Sequence, residues 1–163
     1  NIASRCAGFI NKNFDNRLSS HCSEPVLYKK IHDQGSIIAE HYDNREYARA
    51  VREIMELADL ANQYIDEKKP WALMKAPETQ KEAHDVASTG INLFRLLMIY
   101  LKPILPKLAK DVEDFLTIEP LTWDSGKEPL VNHVIKPFKP LMQRVDTDAV
   151  QALKEAAKED IGK

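Results

Sequence analysis

Five histidines, two cysteines and a run of three carboxylates are the groups in this 163-residue chain whose types could do chemistry. The histidines stand at 21, 32, 41, 84 and 133, with no pair four residues apart, no His-Glu-x-x-His and no Glu-x-x-His. Zinc proteases and di-iron bundles need such spacings, because their ligands must share one helix face. Cys6 and Cys22 could serve as nucleophiles only with a histidine brought close in space, and Cys6 reads as a small buried residue on the inner face of a helix. Asp111, Glu113 and Asp114 are flanked by Lys107 and Lys110, the pattern of a solvated helix face. Arg45, Arg49 and Arg52 form a basic stripe with Glu53 and Glu56 one turn on, which reads as a mixed exposed surface. No Gly-rich phosphate loop occurs. The chain by itself reads as no catalyst.

A different chemistry is offered by "YIDEKKPWALMK", residues 64–75. Pro70 lacks the N–H that would continue the preceding helix, and it drives Lys69 out of helical conformation. Trp71 follows at the break. By pattern alone its indole plugs the end of a bundle, since large aromatics dominate cores.

The elements that position these residues are helices. Ile2, Cys6, Phe9, Ile10 and Phe14 recur at three-to-four spacing and predict an amphipathic first helix. Its opposite stripe carries Asn1, Arg5, Gly8, Lys12 and Asp15, with Asn1 and Arg5 stacked one turn apart and able to contact the same object. After a Ser-rich loop, Leu27, Ile31, Ile38 and Tyr42 predict one second helix. The third should start at an Asp43–Glu46 capping box and turn Tyr47, Val51, Ile54, Met55, Ala58, Ala61 and Ile65 inward. A fourth runs from about Glu78 to Lys102, where Pro103 and Pro106 end or kink it, and "KLAKDVEDFL" gives a short fifth. From Thr117 to Val145, Pro120, Gly126, Pro129, Pro137 and Pro140 deny a helix and predict an extended excursion over the bundle. Thr147 or Asp148 caps a last helix, amphipathic through Val150, Leu153 and Ala157. The expected fold is all-α: a bundle of about five helices over 1–116, an extended arm over 117–146 and a C-terminal helix over 147–163 leading to a linker.

Composition agrees with one ordinary globular domain, 44% hydrophobic and 29% charged. A net charge of -2 argues against gripping nucleic acid through a global positive field, though not against a small local site. Two unpaired cysteines suit a reducing, cytoplasmic setting without a disulfide framework or zinc cluster. The most apolar run, "INLFRLLMIYLKPILPKL", is interrupted by Arg95, Lys102 and two prolines, so it reads as a buried helix and not a membrane span. No signal peptide is evident, and Asn1 begins inside a helical pattern without an initiator methionine, so the chain reads as cut from something longer.

Several stretches together resemble one family: "NIASR" running into "GFINKNF", "AVREIMELADLANQYIDEKKPW", "TGINLFRLLMIYLKPILPKLA" and "PLMQRVD". In order and spacing they are similar to the anticodon-binding helical domain of bacterial methionyl-tRNA synthetases, over nearly the whole chain to about Asp146. The resemblance implies a parent ligase that attaches methionine to its tRNA with ATP and magnesium, and that holds zinc in its catalytic half. The HIGH and KMSKS signatures of that half are not in this sequence, so the fragment itself is expected to be inactive and to hold no cofactor. The implied partners are methionine tRNA, through its anticodon loop, and the catalytic domain of the same parent chain, with no membrane and no DNA.

The resemblance also implies the site. Carried over residue by residue, the readers of the anticodon CAU fall on Asn1, Arg5 and Trp71, with Pro70 positioning the indole. Single-stranded bases can be splayed out, stacked on an aromatic ring and hydrogen-bonded along their Watson–Crick edges. Stacking contributes but does not select, whereas Arg5 offers donors and Asn1 both donor and acceptor. Asp59 and Asp66 match acidic positions that would repel or mis-pair with wrong anticodons, and they read equally well as solvated helix residues. Lys68, Lys69 and Lys75 around Trp71, with Lys12, are candidates for phosphate contacts that position RNA without reading it. The resemblance turns Trp71 outward, part-exposed and near Arg5. Two other readings stand beside this one. One is the corresponding domain of another class I synthetase; the other is a helical protein-interaction module with Trp71 as its anchor.

Overall fold

The computed structural model describes residues 1–142 and 147–161, the side chains of 149 and 158–161 excepted. The end of the predicted arm, 143–146, which holds the last part of "PLMQRVD", lies outside the described residues, as do the final two positions. Eight α-helices occur among the described residues: α1 Ile2–Asn13, α2 Pro25–Asp33, α3 Gly35–Asp43, α4 Tyr47–Lys68, α5 Pro70–Leu73, α6 Gln80–Leu101, α7 Pro106–Leu116 and α8 Thr147–Ile161. Short 3₁₀ turns fill Pro77–Thr79 and Trp123–Gly126. There is no strand among the described residues, only a single antiparallel bridge between Arg17 and Val134.

The bundle is organised around α6, which buries sixteen of its 22 residues, polar Asp85, Ser88, Thr89, Asn92 and Arg95 among them. Helices α1, α2, α4, α5 and α7 all pack against it. α1 presents Ile2, Cys6 and Ile10, and α4 presents Ile54, Leu57, Ala61 and Ile65. Each fully buried Ile or Leu contributes about 1.5–3 kcal/mol. Gly90 lets α1 and α4 approach α6 closely, since a Cβ there would stand 2.6 Å from Cys6 Sγ and 2.9 Å from Ile65 Cδ1. Among the described residues no helix is long and apolar enough to cross a membrane.

Three expectations need correction. The predicted second helix is two, broken at Gln34, because the Tyr100 hydroxyl lies 3.0 Å from the carbonyls of both Ile31 and His32. Those carbonyls would otherwise accept from the next turn of a continuous helix. There is no Asp43–Glu46 capping box either. Asp43 ends α3, and the Glu46 carboxylate takes His41 Nδ1 at 2.8 Å and Arg49 at 3.1 Å. The inner stripe of α4 runs through Ala50, Ile54, Leu57, Ala61 and Tyr64, which leaves Tyr47 and Met55 exposed.

The segment after α7 lies on the bundle as an extended excursion. Asn92 holds it as a backbone partner would, donating to the Leu130 carbonyl at 2.9 Å and accepting its N–H at 2.6 Å. The buried Arg95 donates to the carbonyls of Ser125 and Glu128. Lys102 donates to the Leu121 carbonyl at 2.8 Å and pairs with Glu113 at 2.6 Å. Glu113 is therefore not part of a solvated face. Burial alone would raise its pKa, but Lys102 and the Leu121 N–H hold it below the ordinary value. Asp111 and Asp114 do stay exposed, Asp114 against Lys136. In α8 the side chains of Val150, Leu153 and Ala157 are exposed, not packed on the bundle.

Candidate nucleic-acid interface

The break after α4 sets the geometry of the site. Lys69 adopts left-handed backbone angles, φ 47° and ψ 64°, and its N–H closes the helix on the Ile65 carbonyl at 3.0 Å. Pro70 then starts α5 at the position where a missing N–H costs nothing. Pro70 is buried, and Trp71, one residue on, is 44% exposed. The indole therefore does not plug the bundle.

Across from it stands Arg5, whose guanidinium carbon lies 5.7 Å from the centre of the Trp71 ring. A cation at that distance from an indole is attracted by about 0.5–2 kcal/mol. The guanidinium is braced from α4: Nη1 donates to Asp66 at 2.6 Å and Nη2 to the side-chain oxygen Oδ1 of Asn62 at 3.4 Å. Arg5, Gly8 and Lys12 on one side and Ile65, Pro70 and Trp71 on the other line an open cleft of about 430 Å³. Asp66 is thus the brace of Arg5, a role that its reading as a solvated residue missed. The pairing of helices α1 and α4 could not be read from either segment alone.

The other candidates fall in different places. Asn1 is exposed and offers its main-chain carbonyl to the Arg5 N–H at 3.1 Å. It borders a separate cleft of about 420 Å³, with Phe94, Leu108 and Phe138, and does not line the one with Trp71. Asp59 is exposed two turns before Asp66 and does not line the cleft. Lys12, Lys68, Lys69 and Lys75 are all exposed, and among the described residues none of them pairs with a carboxylate. Of the four, Lys12 alone lines the cleft, while Lys68, Lys69 and Lys75 flank Trp71 in sequence.

The groups with catalytic potential are tied up structurally. Burial pushes the Cys6 thiol up to about 12, which leaves it inert. His84 donates to the Arg17 carbonyl at 2.7 Å and stacks on Phe14, and His133 donates to the Leu116 carbonyl at 2.6 Å. His21 sits 3.3 Å from Asp85, and His32 3.3 Å from Asp33. His41 bridges Glu46 and Glu53, and Arg49 consequently pairs with Glu46, not with the Glu53 that its spacing suggested. Among the described residues no three His, Cys, Asp or Glu side chains converge to hold a metal ion.

Comparison with known proteins adds a sequence family. The profile described as the anticodon binding domain of methionyl tRNA ligase matches residues 19–152, so it begins after α1. Over 158 residues the chain is 53% identical to a methionine–tRNA ligase of Vesicomyosocius okutanii subsp. Calyptogena okutanii (strain HA), covering 97% of this chain and 29% of that protein. It therefore spans under a third of the length of that curated relative. Among solved structures, the apo form of Mycobacterium tuberculosis methionyl-tRNA synthetase superposes with a TM-score of 0.82 at 18% identity, over 89% of this chain and 31% of that one. The same enzyme bound by methionyl-adenylate gives 0.80, at 18% identity over 88% and 30%. At that identity the likeness concerns the fold.

Proposed function

The chain belongs to the family of anticodon-binding domains of methionyl tRNA ligase, and on that premise we propose that its α1–α5 cleft receives the anticodon loop of methionine tRNA and reads CAU. The observation that carries this reading is the half-exposed Trp71 with Arg5 beside its ring, in an open cleft that the exposed Lys12 also lines. A base splayed from the loop stacks on the indole, for about 1–3 kcal/mol of sequence-independent affinity. Lys12, Lys68, Lys69 and Lys75 hold the neighbouring phosphates.

Selection falls to Arg5 and Asp66. Cytosine presents acceptors beside an exocyclic amino donor, whereas uracil presents a carbonyl where cytosine has the amino group. The Arg5 guanidinium supplies donors to the acceptor edge, and the Asp66 carboxylate favours the amino group over a carbonyl. Because Asp66 already holds Arg5 at 2.6 Å, a base that cannot satisfy both must break their ion pair. Asn1, outside the cleft, acts on this reading through its main-chain carbonyl, which accepts from the Arg5 N–H at 3.1 Å at the start of α1. On this reading the rest of a longer protein carries the ligase activity, with its ATP, magnesium and zinc.

The test is a titration of anticodon hairpins carrying CAU and UAU against wild type and Asp66→Asn. Wild type should prefer CAU at least ~10-fold, a discrimination of the size that one well-placed base contact provides. Asp66→Asn should narrow that preference. Equal affinity of wild type for the two hairpins would remove the specificity claim.

A further inference from the structure

We propose that Gly8, on the cleft face of α1, is the point where bound RNA comes into direct contact with the helix backbone, and that the position is bare for that reason. The proposal rests on the reading of the cleft as an anticodon site. Glycine is the poorest helix former after proline, so one in the middle of a 12-residue helix calls for a cause. Two ordinary causes are available, and both fail here. The first is backbone conformation: no glycine among the described residues has a positive φ, so position 8 could be occupied by any L-residue. The second is packing. Cβ atoms at Gly35, Gly90 and Gly126 would stand 3.0, 2.6 and 2.5 Å from Tyr100, Cys6 and Leu96, so those three glycines are crowded by neighbours inside the protein. A Cβ at Gly8 would meet nothing within 4 Å.

The remaining physical reason for a helical glycine is close approach by something from outside. Its position says what that is. Gly8 lies one turn after Arg5 and one turn before Lys12, on the same face, and lines the cleft opposite Trp71. A base stacked on the indole and reaching Arg5, with its phosphate toward Lys12, has its ribose against position 8. A side chain there would hold the sugar off the helix and lift the base from Arg5, while leaving the protein's own packing untouched.

The experiment uses the full chain, with Gly8→Ala and Gly8→Leu beside Trp71→Ala and wild type, measuring melting temperature and affinity for the CAU hairpin. Gly8→Ala should melt above wild type, because alanine is the better helix former, yet bind about 10-fold more weakly, the scale of one methyl group intruding on a fitted site. Gly8→Leu should bind more weakly still. If Trp71→Ala loses affinity while both Gly8 variants bind as wild type does, the contact at position 8 is wrong and the cleft stands. If Gly8→Ala melts below wild type, position 8 is packed within the protein and the proposal falls. If none of the three variants loses affinity, the anticodon reading of the cleft falls along with it.

Discussion

Arg5 and Arg95 set the two working regions of the molecule side by side. Arg95 is 3% exposed, and its guanidinium donates to two backbone carbonyls of the segment that follows α7. Arg5 keeps 30% of its side chain exposed, shares its charge with the Asp66 carboxylate and stands beside an indole half open to solvent. The asparagines divide in the same way. Asn92 closes a two-bond clasp on Leu130, whereas Asn62 donates to the Ala58 carbonyl at 3.0 Å and leaves its side-chain oxygen to Arg5 at 3.4 Å. A polar side chain whose hydrogen bonds end on backbone is holding the fold. One whose partner is another exposed side chain can exchange that partner for a ligand. The α6 seam is therefore where stability resides, and the α1–α5 cleft is where we propose that RNA binds.

That division can be broken by mutation. The largest effect expected is at the seam: Arg95→Ala leaves two carbonyls without a donor and should cost about 3 kcal/mol in urea unfolding. Its folded fraction should still bind the CAU hairpin as wild type does. Next, Trp71→Ala should lower hairpin affinity by about 5- to 150-fold, the 1–3 kcal/mol of one stacked base, with little change in the urea midpoint. A large loss of stability instead would make Trp71 a core residue after all. Smaller again is Lys69→Gly. Left-handed angles at a non-glycine residue cost about 1–2 kcal/mol, partly offset by the extra freedom of glycine when unfolded, so the variant should gain about 0.5–1 kcal/mol. Its binding should weaken slightly, and its salt slope should flatten by about 0.7 if Lys69 neutralises one phosphate of a single strand.

The smallest effect sits away from both regions, at the His41 clamp between α3 and α4. Hydrogen bonds that His41 donates to Glu46 and Glu53 raise its pKa above the ordinary 6.5. A raised histidine stabilises fully below its unfolded pKa, and that contribution is lost as pH rises through the folded value. Glu46, held below 4.5 by His41 and Arg49, acts in the opposite sense, its contribution being lost as pH falls through its own folded value. Wild type should therefore show a urea midpoint that falls as pH rises above the ordinary histidine value of 6.5, and His41→Gln should lack that slope.

Much of this was legible in the sequence wherever the cause was local. The apolar stripe of α1, the stop at Pro70 and the course of α6 each follow from spacing or from one residue's own chemistry. What was not legible depended on partners distant in the chain. The break at Gln34 needs the Tyr100 hydroxyl, and the inward turn of Glu113 needs Lys102 and the Leu121 N–H. Arg95 read as an interruption of an apolar run, because nothing near it in sequence announces two carbonyls thirty residues away. In the cleft, the exposure of Trp71 and its place near Arg5 came from family resemblance and not from pattern. The brace from Asp66 to Arg5 came only with the packing of α1 on α4.

The most direct measurement uses the fact that the chain has two tryptophans. Trp123, stacked on Tyr100 well away from the cleft, can be replaced by phenylalanine, leaving Trp71 as the only indole reporter. Titrating Trp123→Phe with the CAU hairpin should quench Trp71 emission saturably, with UAU requiring at least ~10-fold more RNA to reach the same quench. Emission unchanged by CAU, or quenched equally by both hairpins, would contradict the assignment of the cleft as an anticodon reader.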